Sequence, residues 1–336
     1  MKKIINDPAR FVDDTIEGIL LAHPDWLSPA GNNRSLIRKS GVPKGQVGIA
    51  TGGGSGHLPV FLGYVGEGLA HGVAVGNAFA SPSARQMLAV TRGVNAGAGV
   101  LHLFGNYQGD SLHFEMAAEM AESDGIRVVA VKASDDIASA PPAEWQSRRG
   151  VAGIFFAYKL AGARAAEGAD LDAVAETAHY AVANTRTLGV ALDACTLPEI
   201  GHPNFSFADD EMEIGMGIHG EPGLERRTLM RAEDLAATLV DRILADLPFA
   251  NGDEVAVLVN GLGSTPVEEL YILYRSVAPL LAERGIAVHR TYIGEYATSL
   301  DMVGASVSVL KLDADSRRLL DAPARSPFFQ QSGAGR

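Results

Sequence analysis

The sequence predicts an α/β protein of two domains, each with a mixed or parallel sheet flanked by helices. Three observations carry that expectation. Short apolar runs of strand length alternate with amphipathic helical segments along most of the chain. The chain has 336 residues, the length of about two domains. Of these, 38 are glycine, roughly 11% against a usual ~7%, while 47% are hydrophobic. Glycine at that density without a collagen period places many backbone positions at tight turns or close approaches.

Each element has its own signal. Val47–Thr51, Val73–Val75, Gly99–Phe104 and Arg127–Val131 read as buried strands. Ser81–Val94 and Ser111–Ser123 read as amphipathic helices, the first with Ser81 as N-cap and Pro82 at the first helical position. Helices follow at Val151–Glu167 and at about Asp170–Arg186. A second strand set comprises Gly189–Asp193, Glu213–Ile218, Glu254–Asn260, Ala287–Ile293 and Ser306–Leu312. Helices at about Ala232–Ala245 and Pro266–Glu283 separate some of these strands. The long helix near 170–186 marks the boundary. The expected division is an N-terminal domain over 1–182, a C-terminal domain over 183–327 and a flexible tail over 328–336.

Composition removes several function classes. The net charge is −12 and no basic run occurs, which argues against nucleic acid and anionic membrane as partners. Cys195 is the sole cysteine, so an intramolecular disulfide and a multi-cysteine metal site are excluded. The N-terminus lacks an apolar signal region and no apolar run reaches the ~18–20 residues of a membrane span. A cytoplasmic protein is the expectation.

Three glycine-framed clusters carry candidate chemistry. The first is Thr51-Gly52-Gly53-Gly54-Ser55-Gly56-His57, directly after a strand. Its N–H groups are suited to a small polar ligand. It is not a Walker A loop, because no Gly-Lys-Ser/Thr follows, and it lacks the dinucleotide fingerprint. A tight strand-to-helix turn without a ligand is the alternative. The second is Gly105-Asn106-Tyr107-Gln108-Gly109-Asp110. Asp110 at the C-terminal end of a strand stands where open α/β sheets place ligands, and a carboxylate there can take a hydroxyl proton. Equally, Asp110 is a favoured N-cap. The third is Gly215-Met216-Gly217-Ile218-His219-Gly220-Glu221-Pro222-Gly223, where a histidine between glycines can present its ring to a ligand or stand as a solvent-exposed loop residue. The other seven histidines show no pattern and no metal spacing. Arg148-Arg149 suits an anion, although pairing with surface acids is the favoured reading. The turn Asn260–Pro266 reads as a helix start.

Together these clusters resemble the K subunit of dihydroxyacetone kinases, the ketose-binding component. The match is carried by Met1-Lys2-Lys3 with Ile5-Asn6-Asp7, Gly52–His57, Asn106-Tyr107 with Gly109-Asp110, Arg148–Ala152, Asp193–Thr196, Gly217–Gly223, Leu262–Pro266 and Thr298–Met302. It runs from Met1 to about Pro327. The resemblance implies two α/β domains and a homodimer. It implies that His219 adds a ring nitrogen to the C2 carbonyl of a ketose, giving a covalent hemiaminal that glycerol-like polyols cannot form. Asp110 matches the general base, His57 its hydrogen-bonding helper, and Gly54 a backbone contact to substrate. Ser55, Gly105 and Leu58 are expected beside it. This chain is expected to bind no cofactor itself. ATP or ADP with magnesium is expected on a separate helical L subunit, rephosphorylated in some members by a phosphotransferase-system protein. A length of about 330 residues is expected to leave no room for that L unit.

Two positions depart from the pattern. Dihydroxyacetone-specific members usually carry a substrate-contacting lysine where this chain has Gly105, and often Glu where it has Leu58. Both changes resemble the branch acting on larger ketoses such as erythrulose. A roomier pocket for a C4 or larger ketose is therefore expected. The rival from another class is a ketose sensor acting as a transcriptional co-regulator, which would be expected to have lost catalytic groups. His57, Asp110 and His219 are all present. A dehydrogenase fails for want of its fingerprint and ribose acid.

Overall fold

The computed structural model describes residues 2–333. Met1, the first residue of the matched N-terminal motif, and residues 334–336, the end of the expected flexible tail, lie outside the described residues.

In chain order the elements are α1 (Phe11–Ala22), β1 (Leu27–Pro29), β2 (Ser35–Arg38), β3 (Gly48–Ser55), β4 (Gly72–Ala78), α2 (Ala84–Val94), β5 (Val100–Gly105), α3 (Gln108–Ser123) and β6 (Val128–Ala133). There follow α4 (Ile154–Ala166), α5 (Leu171–Ala183), β7 (Thr185–Asp193), β8 (Glu211–Ile214), β9 (Glu225–Thr228), α6 (Ala232–Asp246), β10 (Glu254–Gly261) and α7 (Val267–Glu283). The chain closes with β11 (Ala287–Gly294), β12 (Val303–Leu312), α8 (Ala314–Asp321), β13 (Ala324–Arg325) and β14 (Gln330–Gln331).

Two compact units form, but not as contiguous halves. Among the described residues, one holds 2–133, 155–181 and 318–333; the other holds 134–154 and 182–317. The expected division of 1–182, 183–327 and a tail misses this interleaving. The physical reason is pairing. Residues 134–154 bond to β7, with Thr187 donating its N–H to the Asp135 carbonyl at 2.8 Å. The C-terminal segment bonds to the first unit: Glu67 and Arg325 exchange backbone hydrogen bonds at 2.7 and 2.9 Å, and the Ser326 hydroxyl donates to the Gly63 carbonyl at 2.6 Å. The expected flexible tail is likewise paired as far as Gln331, through β13 and β14.

In the first unit the sheet order is β1-β2-β4-β3-β5-β6. Strands β4, β3, β5 and β6 are parallel, with β1 and β2 an antiparallel edge. Helices α2 and α3 pack their apolar stripes on it: Met87, Val90 and Val94 from α2, Phe114, Ala117 and Ala121 from α3. Phe104 of β5 stacks on Phe114, centroids 3.7 Å apart. Helix α2 begins at Ala84, not Ser81, because Ser83 and Gln86 close a reciprocal capping box.

In the second unit the order is β11-β10-β12-β7-β8-β9, parallel only between β10 and β11. Helices α6 and α7 supply Leu239, Val240, Ile243, Leu270 and Val277 to its core. Helix α5 ends at Ala183, three residues short of expectation. Thr185 and Thr187 are β-branched and suited to a strand, and the Arg186 side chain is drawn to Asp246.

That contact belongs to a buried ion cluster. Arg148, fully buried, forks onto both Asp246 oxygens at 2.7 and 2.6 Å, and Arg186 Nε reaches Oδ1 at 2.5 Å. The expectation that Arg148-Arg149 pairs with surface acids is therefore half right: the partners are acids, but not at the surface. Asp246→Ala leaves two buried guanidiniums without their carboxylate. It is expected to cost about 3–5 kcal/mol of unfolding free energy, read as a lower midpoint in urea. A loss below about 1 kcal/mol would show the cluster to be dispensable.

Candidate functional site

In the first unit the predicted residues gather at the C-terminal ends of adjacent parallel strands, where open α/β sheets place ligand sites. The glycine run is not a turn. It is the C-terminal half of β3, which extends to Ser55. Glycine is required there for space: a Cβ at Gly53 would stand 2.3 Å from the Phe61 ring, and one at Gly54 would stand 2.8 Å from the Ala80 nitrogen. The strand therefore runs directly beneath its neighbours, and Gly54 and Ser55 end it beside His57. Leu58 and Phe61 line the same small cavity as Gly53–His57.

His57 is 1% exposed. Its ring stacks on Phe79 at 4.8 Å and meets Phe61 edge-on at 6.3 Å. Both phenylalanines have positive φ, 57° and 66°. Backbone strain of that kind, of order 1–3 kcal/mol each, persists only where surroundings enforce it. Here it presses two aromatic faces onto one histidine.

The next strand, β5, ends at Gly105, and α3 begins at Gln108 with Tyr107 as N-cap. Asp110 is thus the third helical residue and not the cap, which removes the capping reading. It is buried in the first turn of α3. There the helix dipole favours its charge. Its field also reaches Tyr158, whose hydroxyl is pushed up by burial, eased by its 2.7 Å bond with Thr51, and pushed up further by Asp110.

His219 lies in the second unit, in the loop joining the antiparallel strands β8 and β9. The strand expected over 213–218 stops at Ile214, because Gly215 turns with φ of 85°. Glu221 holds His219 twice: the ring Nδ1 lies 2.9 Å from Oε1, and the backbone N–H donates to Oε2 at 3.0 Å. A proton on Nδ1 puts the lone pair on Nε2. Burial alone would raise the Glu221 carboxyl. The hydrogen bond and charge of His219, with Arg149, outweigh it and bring the group down to about 2.

Three sequence motifs brace this loop from behind. The Ser299 hydroxyl donates to the Ile218 carbonyl at 2.5 Å, and Asn204 Nδ2 donates to the His219 carbonyl at 3.1 Å. Buried Cys195 lies against both, 3.5 Å from Asn204 Oδ1 and 3.8 Å from Ser299 Oγ. The Thr196 N–H donates to Asp301 at 2.9 Å, and the Ser299 N–H to the Leu262 carbonyl at 2.8 Å. The segments around Cys195, Leu262 and Ser299 therefore act as scaffold.

Sequence reasoning quoted Glu221 without giving it a role, and missed Phe61, Phe79 and Asp136. A carboxylate two residues after a glycine-flanked histidine was the available signal for Glu221. Among the unpatterned histidines, His71 and His102 are core residues whose burial lowers each to about 3; His71 accepts the Ile49 N–H at 2.9 Å. Among the described residues no group of three or more His, Cys, Asp or Glu is placed to hold a metal, and no helix is long and apolar enough to cross a membrane.

Two α/β units, one with glycine-lined strand ends beside the buried His57 and Asp110 and the other with the braced His219, have the architecture of solved dihydroxyacetone kinases. The C. freundii dihydroxyacetone kinase superposes with a TM-score of 0.88 at 31% identity, covering 98% of this chain and 60% of that one. A dihydroxyacetone kinase operon co-activator superposes with a TM-score of 0.89 at 33% identity, covering 96% and 99%. The Dak1 domain model matches residues 17–328, and the chain belongs to that family. A D-erythrulose kinase of Mycolicibacterium smegmatis is 44% identical over 99% of this chain and 57% of its own length. The dihydroxyacetone-binding subunit DhaK of a PTS-dependent dihydroxyacetone kinase of Listeria innocua is 42% identical over 98% of this chain and 99% of its own. The chain thus spans little more than half of the first relative and nearly all of the second.

The lowered Glu221 carboxyl has a consequence for stability. A depressed acid stabilises the fold above its unfolded value, here 4.5, and loses that contribution as pH falls towards about 2. Glu221→Gln should lower unfolding free energy by about 1–3 kcal/mol at pH 7, with the gap to the native chain closing between pH 4.5 and 2. Urea titrations of both proteins across that range test it; a pH-independent gap would contradict the charged clamp.

Proposed function

We propose that this chain is the ketose-binding part of a ketose kinase, a phosphotransferase with an alcohol acceptor, and that it holds its substrate as a hemiaminal on His219. The observation that carries the reading is the 2.9 Å contact between His219 Nδ1 and Glu221. It makes Nε2 the nucleophilic nitrogen. Attack forms the Nε2–C2 bond, the carbonyl π pair moves to oxygen, and that oxygen takes a proton from water. The alkylated ring keeps its Nδ1 proton and becomes cationic, facing the Glu221 carboxylate. A polyol has no electrophilic carbon and is refused. The tether fixes the reacting hydroxyl and lowers the entropic barrier.

Asp110 is the proposed base for the terminal hydroxyl and His57 its helper; both are buried, as a group accepting a proton in a water-poor site needs to be. ATP or ADP with magnesium is assigned to a helical L partner, with ATP itself or a phosphotransferase-system protein as the phosphoryl source, and a homodimer completes the assembly. The glycines of β3 lie within a strand and are followed by no Gly-Lys-Ser/Thr, which supports placing the nucleotide on a partner. Gly105, standing in place of a lysine, and Leu58 support a C4 or larger ketose, as does the erythrulose kinase relative. The fold likeness to an operon co-activator supports a second reading, a ketose-responsive regulator without kinase activity.

Native mass spectrometry of the chain with a ketose should show the added ligand mass on the native chain and not on His219→Ala. With an L subunit supplied, Asp110→Asn should still trap the ketose but turn over about 10²–10⁴-fold more slowly. Normal turnover by that variant would remove Asp110 as base, and no turnover by the native chain with any L subunit would favour the regulator. Turnover on erythrulose enantiomers should exceed that on dihydroxyacetone; a clear preference for dihydroxyacetone would defeat the larger-ketose assignment.

A further inference from the structure

Behind Glu221 stands a second pair of charges. Arg149 approaches Glu221 Oε2 with Nη1 at 3.7 Å, and its Nη2 donates to the Gly215 carbonyl at 3.4 Å. Its other edge is fixed on Asp136: Nε donates to Oδ2 at 2.9 Å and Nη2 lies 2.8 Å from the same oxygen. Asp136 is itself anchored. Its Oδ1 accepts the Ala138 N–H at 3.0 Å, and its N–H donates to the Arg149 carbonyl at 3.1 Å. The Arg149 N–H donates to the Ser139 hydroxyl at 3.0 Å. Asp136 is 4% exposed, so the base of this arrangement is out of water.

We infer that Arg149, seated on Asp136, is a positioning residue for His219: it orients the Glu221 carboxylate and thereby fixes the Nδ1–H tautomer and the ring direction. A second observation points the same way. A Cβ at Gly217 would stand 2.1 Å from Glu221 Oε2 and 2.5 Å from Arg149 Nη1. The loop therefore keeps a glycine at the point where carboxylate and guanidinium meet. The ionised pair also has the right sign. The cation beside Oε2 favours the carboxylate form that accepts the Nδ1 proton. Neither Arg149 nor Asp136 is proposed to touch substrate. Both act through Glu221, as supporting groups orient ligating histidines elsewhere.

The inference deepens the tethering role of His219, and its test separates the two. Long-range proton–nitrogen NMR of the imidazole of His219, assigned with His219→Ala, reads the tautomer without any ketose. The native protein should show a protonated Nδ1 and an unprotonated Nε2. Arg149→Met should give a mixture of tautomers and slow formation of the ketose adduct, followed by native mass spectrometry, by about tenfold or more. Arg149→Lys, which keeps a cation on Asp136, should restore most of both signals. A native-like spectrum and rate of adduct formation in Arg149→Met would overturn the inference, as would Arg149→Lys behaving like Arg149→Met. If Arg149→Met does not fold, Asp136→Asn takes its place with the same readouts. Failure of the native chain to trap any ketose removes the tethering role, while the tautomer spectra still decide the role of Arg149.

Discussion

An imidazole nitrogen is a useful nucleophile only when the proton is kept on its partner. In this chain that condition rests on one carboxylate, Glu221, which takes the His219 ring with one oxygen and the His219 backbone with the other. The two bonds fix different things: the first selects the nitrogen that carries the lone pair, the second fixes where the ring starts. Around them the loop is pinned through its carbonyls by Ser299 and Asn204. Side chains from the β7–β8 and β11–β12 connections thus converge on a segment that has little regular structure of its own. The sheet supplies rigidity and the loop supplies chemistry, the division of labour expected of sites on α/β scaffolds.

The first unit prepares its groups by a different means. His57 is hemmed by aromatic rings, and Asp110 is drawn into the first turn of a helix. Removing water strengthens every remaining electrostatic interaction, and both the acid and the imidazole are kept out of bulk solvent. The strained backbone of Phe61 and Phe79 shows that this enclosure is held against a conformational cost.

Much of this was legible in the sequence. Strands β3, β5, β6, β10 and β11 are short apolar runs and fell within a few residues of expectation, as did α6 and α7. The three glycine clusters pointed to the right loops, because only glycine permits such close approach. What glycine counting could not show was why. At Gly53 the demand comes from a phenylalanine eight residues on, and at Gly217 from the Glu221 carboxylate together with an arginine 68 residues earlier; neither the phenylalanine nor the arginine is marked by local pattern. The same holds for Asp136, an acid beside another acid that reads as a solvated turn until its arginine is placed. The short strands β1, β2 and β9 carry too few residues for a periodicity to register.

The interleaving of the two units bears on how the protein comes to be folded. Glu67 exchanges backbone hydrogen bonds with Arg325, and the Gly63 carbonyl accepts one from the Ser326 hydroxyl. During synthesis the first 133 residues emerge with their parallel sheet encoded, yet the segment that covers the turn after β3 is made roughly 260 residues after that turn. Closing a loop of that length costs little more entropy than closing a short one, because the penalty grows only logarithmically. The delay is another matter. At roughly 5–20 residues per second a translating ribosome takes on the order of ten seconds or more to supply it. For that interval the Gly63–Glu67 backbone stands uncovered, and the nascent first unit waits on the second to be made before its own last pairing can form.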